Sequence, residues 1–121
     1  MSEVRRVEKP WGHELHWAKT ERYVGKVLHI KAGHALSVQY HERKDESWLV
    51  HEGRARLELG EVGGDLEPVE IRAGDAFRFR PGTVHRVTAS EDLLVVEVST
   101  PHLDDVVRLE DRYGREGTSA P

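Results

Sequence analysis

Four side chains in this sequence have the types and spacing for metal chemistry: Gln39, His41, Glu46 and His85. Gln39 and His41 are two residues apart, so on a β-strand they project from the same face. Glu46 follows a short charged connection and can return on the next strand, and His85 can close the set from a distant one. An amide oxygen, a carboxylate and two imidazoles suit a divalent cation of borderline hardness. Zn, Mn, Fe, Co and Ni all satisfy that description. A glutamate among apolar strands is costly unless paired or ligated, and a cation removes that cost.

The elements that must position these groups read as short strands. Trp11–Trp17 alternates apolar and polar residues, and Tyr23–Lys31 places Val24, Leu28 and Ile30 on one face with Lys26 in the same register. Ala35–His41 and Glu46–His51 carry the first three candidate ligands and are joined by the charged run 42–45. Arg54–Leu59 alternates, with Ala55, Leu57 and Leu59 directed inward. Gly60–Leu66 is a Gly-rich acidic loop. Val69–Arg72, Ala76–Arg80, Val84–Ala89 and Leu93–Ser99 follow, punctuated by Ala73-Gly74-Asp75, Pro81-Gly82 and Ser90-Glu91-Asp92. Nine or ten short strands at regular spacing predict an all-β barrel or sandwich in one domain, 1–121. The first ten residues are expected to be loose. A helical turn or two is expected from Asp104, where acidic residues favour a helix start. A flexible tail is expected from about Arg115, with the core over about 7–115.

Composition narrows the function. The 121 residues carry a net charge of −4 with both signs interleaved, which gives no basic stripe for nucleic acid. There is no cysteine, so disulfides, thiolate zinc sites and cysteine nucleophiles are excluded. No apolar run approaches a membrane span and the N-terminus lacks a signal-type apolar region, so a soluble cytoplasmic protein is expected. An exposed sheet edge is expected to favour a homodimer.

Two Gly-bounded segments, Gly33-His-Ala-Leu-Ser-Val-Gln-Tyr-His through Glu46-Ser-Trp-Leu-Val-His-Glu-Gly and Gly74-Asp-Ala-Phe-Arg-Phe-Arg-Pro-Gly-Thr-Val-His-Arg, resemble the two cupin motifs. More narrowly, the chain is similar over roughly residues 7 to 115 to the cupin domain of type II mannose-6-phosphate isomerases. Lys9-Pro-Trp-Gly, Lys26-Val-Leu-His-Ile-Lys-Ala-Gly, Leu36-Ser-Val-Gln-Tyr-His and Val107-Arg-Leu-Glu-Asp-Arg-Tyr-Gly-Arg carry this likeness. Such domains often stand at the C-terminus of bifunctional enzymes that also carry a GDP-mannose pyrophosphorylase domain. The resemblance implies a double-stranded β-helix (jelly-roll) barrel, with Gln39, His41, Glu46 and His85 as metal ligands and Lys26 and Arg86 near a substrate. The chain departs from the family in having Glu42-Arg43-Lys44 where a histidine-rich run is usual, and Ser47 where histidine is common.

The reaction this implies moves a proton between adjacent carbons of an aldose and a ketose, as between mannose 6-phosphate and fructose 6-phosphate. A divalent metal would stabilise the developing negative charge, and Lys26 or Glu97 would carry the proton. Arg86 or a lysine would hold phosphate. Strict alternation aims Arg86 away from His85. Glu97, in the apolar run Leu93–Ser99, suits a base, a support for a ligand or a buried ion pair. A non-catalytic metal- and small-ligand-binding cupin and an Fe-dependent oxygenase are the alternatives.

Overall fold

The alternation of apolar residues is realised as two antiparallel sheets packed face to face. In the computed structural model, which describes residues 1–117, the strands are β1 (Arg5–Lys9), β2 (Gly12–Lys19), β3 (Val24–Ile30), β4 (Val38–Tyr40), β5 (Glu46–Glu52), β6 (Arg54–Glu61), β7 (Glu67–Arg72), β8 (Ala76–Phe79), β9 (Thr83–Ala89), β10 (Leu93–Ser99) and β11 (Val107–Glu110). One sheet runs β1-β2-β3-β10-β5-β8 and the other β11-β4-β9-β6-β7. Neighbours in sequence are often not neighbours in space. β10, for example, lies between β3 and β5.

On β3 and β6 the inward faces are those the sequence pattern predicts. Val24, Lys26, Leu28 and Ile30 of β3 are buried, as are Ala55 and Leu57 of β6 and Leu93, Val95 and Glu97 of β10. At one end of the interior, Ile30, Ala55, Leu57, Ile71 and Leu93 belong to a continuous apolar cluster. At the other, cross-strand register aligns His16 with Lys26, Lys26 with Glu97 and Glu97 with Trp48. A row of ionisable groups therefore crosses the inner face of the six-stranded sheet. Gly12 makes a close approach possible: at φ +152°, an added Cβ would lie 1.9 Å from the His29 carbonyl oxygen of the neighbouring strand.

Three expectations are corrected. The first ten residues are not all loose. Arg5–Lys9 pairs with β2, from Arg5 opposite His16 to Lys9 opposite Gly12, because the backbone ladder needs no apolar side chains and Arg5, Arg6 and Glu8 face water. No helix forms after Asp104 among the described residues. Val107–Glu110 instead pairs with β4, covering an edge that would otherwise leave backbone groups unpaired. Alternation there buries Val106 and Arg108 while Leu109 is exposed. The third concerns Arg115, the expected start of the tail, whose guanidinium donates to both carboxylate oxygens of Asp111, at 2.8 and 3.0 Å. Residues 118–121 of that tail lie outside the described residues. No helix among the described residues is long and apolar enough to cross a membrane.

Candidate metal centre

The ligand-type residues converge as the spacing predicts. Gln39 on β4 lies opposite His85 on β9, and Glu46 opens β5 from the facing sheet. His41, Glu46 and His85 are all buried, and one donor atom from each lies within 4.8 Å of the others. Glu46 Oε2 is 3.7 Å from His41 Nε2, and Glu46 Oε1 is 3.7 Å from His85 Nε2. The Gln39 amide reaches this group through Nε2, 3.5 Å from His85 Nε2, while its oxygen accepts the Ser37 hydroxyl at 2.8 Å. A half-turn of that amide exchanges the two atoms.

The backbone fixes the tautomer of both imidazoles. His41 Nδ1 faces the Asp105 carbonyl at 2.5 Å and His85 Nδ1 faces the Thr83 carbonyl at 3.0 Å. A carbonyl only accepts, so each Nδ1 carries the proton and each Nε2 presents a lone pair. His41 Nε2 is buried with no hydrogen-bond partner. Two lone-pair nitrogens thus face one carboxyl group, and neither imidazole supplies a proton between them. The donor set therefore fits a divalent cation, which would be held by His41, Glu46 and His85. Phe79 stacks on the His85 ring at 4.1 Å between centroids and 5° between planes, which fixes its plane.

The electrostatics keep the imidazoles neutral. Burial pushes His85 down to about 3, and the nearby His41 and Lys44 act in the same direction. Burial and the Lys44 ammonium also lower His41. Burial and the neighbouring Glu97 carboxylate raise Glu46 to about 7, against the pull of Lys44. Burial alone would raise Glu97 as well, but the Lys44 and Lys26 ammonium groups hold it below the usual carboxylate range. Glu97 Oε1 accepts the Trp48 indole N–H at 2.9 Å, and its Oε2 is 3.5 Å from Lys44 Nζ. Lys44 Nζ is 2.7 Å from Glu46 Oε2.

A narrow cavity of about 60 Å³ opens onto this group. Lys26, the expected inward lysine, is on its wall, 3.3 Å from Glu14 Oε1. The same oxygen is 2.8 Å from His16 Nε2. Five cationic side chains line the cavity (Lys9, Lys26, Lys44, Arg108 and Arg115) against three carboxylates, Glu14, Glu46 and Glu97, so the space favours an anion. Arg86 is not among them. Alternation on β9 turns it away from His85, and it pairs with Glu58 at 3.1 Å and Glu110 at 3.8 Å over a separate surface hollow.

Several site residues escaped the sequence reading. Lys44 and Asp105 sit in stretches that read as solvated charge and as a helix start. Lys9, Arg108 and Arg115 fall in the segments that carry the resemblance, but nothing in their spacing gave them a role. Glu14 and His16 were hidden by the alternation itself: Trp11, Leu15 and Trp17 read as the apolar face of that strand, yet Glu14 is buried and Trp17 is exposed.

Two antiparallel sheets enclosing a buried histidine–glutamate cluster define a cupin. The pattern of the family described as mannose-6-phosphate isomerase C-terminal matches residues 1–111, and the chain belongs to that family. Mannose-1-phosphate guanylyltransferase ManC of Salmonella typhimurium (strain LT2) is 40% identical over 117 residues, covering 92% of this chain and 23% of that protein. The chain thus spans about a quarter of the length of such curated relatives. Among solved structures, the capsular polysaccharide assembling protein CapF of Staphylococcus aureus superimposes with a TM-score of 0.76 at 20% identity, over 92% of this chain and 33% of that one. KdgF from Halomonas sp. gives 0.69 at 28% identity, over 85% of this chain and 89% of its own.

Proposed function

We propose that this domain is a metal-dependent sugar-phosphate isomerase that interconverts an aldose 6-phosphate and its ketose, with mannose 6-phosphate and fructose 6-phosphate as the pair. The observation that carries this reading is the orientation of His41 and His85. Both turn Nε2 lone pairs onto Glu46 beside a cavity whose charged lining is predominantly cationic. A divalent cation held there supplies stabilisation of the negative charge that develops on the sugar oxygens during proton transfer. The chain's own residues do the rest. Glu97, kept ionised by Lys44 and Lys26, is the proton acceptor. Lys26, anchored to Glu14, faces the same space and orients the hydroxyl end of the sugar. Lys9 and Arg115, both partly exposed, with the buried Arg108, hold the phosphate, a role that paired planar guanidinium groups suit.

The test is turnover of mannose 6-phosphate by protein loaded separately with Mn²⁺, Zn²⁺, Co²⁺, Ni²⁺ or Fe²⁺, followed by NMR for solvent exchange at the C2 hydrogen. The parent should form fructose 6-phosphate, and His85→Ala should show neither metal loading nor turnover. Tight binding of the sugar phosphate by the metal-loaded parent without exchange or product refutes the isomerase and leaves a binding protein.

A further inference from the structure

Of the four residues between His41 and Glu46, Lys44 alone is fully buried. Its backbone N–H donates to Asp105 Oδ2 at 2.8 Å, and its side chain carries the ammonium to 2.7 Å from Glu46 Oε2 and 3.5 Å from Glu97 Oε2. The oxygen it touches is the one that faces the His41 lone pair at 3.7 Å. The other oxygen of the same carboxylate faces His85. One glutamate is therefore shared between the two imidazoles and an ammonium from its own loop.

The geometry points to Lys44 as a built-in counter-cation that shares the metal-binding carboxylate and thereby sets how tightly the centre holds a divalent ion. This rests on the reading of His41, Glu46 and His85 as a metal centre. Charge in a buried site decides the balance. Lys44 with Glu46 and Glu97 leaves one net negative charge, so adding a divalent cation to neutral imidazoles turns the group net positive. Without the ammonium, the same two carboxylates and the cation balance. Buried net charge is costly and like charges repel strongly where water is excluded. Lys44 therefore stabilises the metal-free domain and weakens metal binding. Glu97 does the reverse, since removing its charge leaves the ammonium to Glu46 alone.

The experiment is chelator competition on the full chain with Mn²⁺ and with Zn²⁺ at neutral pH. Lys44→Met, Lys44→Arg and Glu97→Gln are compared with the parent, and His85→Ala serves as the control that lacks a ligand. Lys44→Met should tighten metal binding at least about tenfold, or ~1.4 kcal/mol. Lys44→Arg, which keeps the charge, should stay near the parent, and Glu97→Gln should weaken binding by a similar factor. Circular dichroism checks each fold. If Lys44→Met does not fold, the opposite shift of Glu97→Gln against an unchanged Lys44→Arg decides. The inference is overturned if Lys44→Met binds no tighter than the parent, if Lys44→Arg tightens as much as Lys44→Met, or if Glu97→Gln tightens. A parent that exceeds His85→Ala while Lys44→Met merely matches it removes the counter-cation and leaves the metal centre standing. If neither exceeds His85→Ala, both readings fall.

Discussion

Asp105→Ala should cost about 2 kcal/mol of folding stability and loosen the metal centre about tenfold, although Asp105 is not a ligand. Its carboxylate accepts three consecutive backbone N–H groups: Glu42 at 3.0 Å, Arg43 at 2.6 Å and Lys44 at 2.8 Å. Its carbonyl accepts the Nδ1–H of His41. A hydrogen bond to a charged group contributes about 1.5–3 kcal/mol, but water can replace it where the partner is exposed. Glu42 and Arg43 are exposed while Lys44 is buried, so only the bond to Lys44 is lost without compensation, which sets the figure near its single-bond value. Burial alone would raise the Asp105 pKa, but the three amides pull it below the usual carboxylate range. A lowered carboxylate contributes stability above its unfolded pKa and loses it as pH falls through the folded value. The parent and Asp105→Ala should therefore converge in acid. Urea unfolding at pH 7 and in acid, with metal titration, measures both effects. Asp105→Asn, which keeps one acceptor oxygen, should recover part of each loss. A variant within about 0.5 kcal/mol of the parent at pH 7, with unchanged metal affinity, would refute the cradle.

Glu14 gives a separate acid limb. Burial would raise it, but the His16 hydrogen bond and the Lys26 ammonium hold it at about 2. Its contribution, at most about 3 kcal/mol, is complete above the ordinary glutamate range and is lost as pH falls toward that value. Glu14→Gln should flatten the stability profile over that interval in chemical denaturation. For the substrate anion, Arg108→Ala should raise KM for the sugar phosphate at least about tenfold with a smaller effect on kcat, as loss of uniform binding requires. Arg86→Ala, whose side chain is engaged with Glu58, should change KM less, and steady-state kinetics on both variants separates the two.

The candidate cluster was legible because it obeys the period of a strand: Gln39 and His41 share a face by simple alternation, and glycines mark the ends of the strands that return Glu46 and His85. The same rule aims Arg86 away from His85, and its side chain pairs with Glu58 and Glu110. What escaped was set by pairing between distant segments. Val107–Glu110 reads as a helix start from its acidic residues, yet β4 offers it a free edge. Lys44 reads as solvated because its neighbours are, and nothing local shows that Glu97, from a distant strand, joins Glu46 to receive it. Arg5–Lys9 has almost no apolar signal because its stability comes from the backbone ladder with β2.

The row His16, Lys26, Glu97 and Trp48 has a consequence for how this interior can change. Each ionic member answers to more than one neighbour: Lys26 to Glu14 and Glu97, and Glu97 to Lys44 and Trp48. A lone replacement strands a buried charge without its partner, whereas a matched exchange of opposite charges leaves the balance intact. New chemistry in this barrel is thus reached by paired steps along the row, while the hydrocarbon end, anchored by Ile30, Leu57 and Leu93, keeps the sheets together.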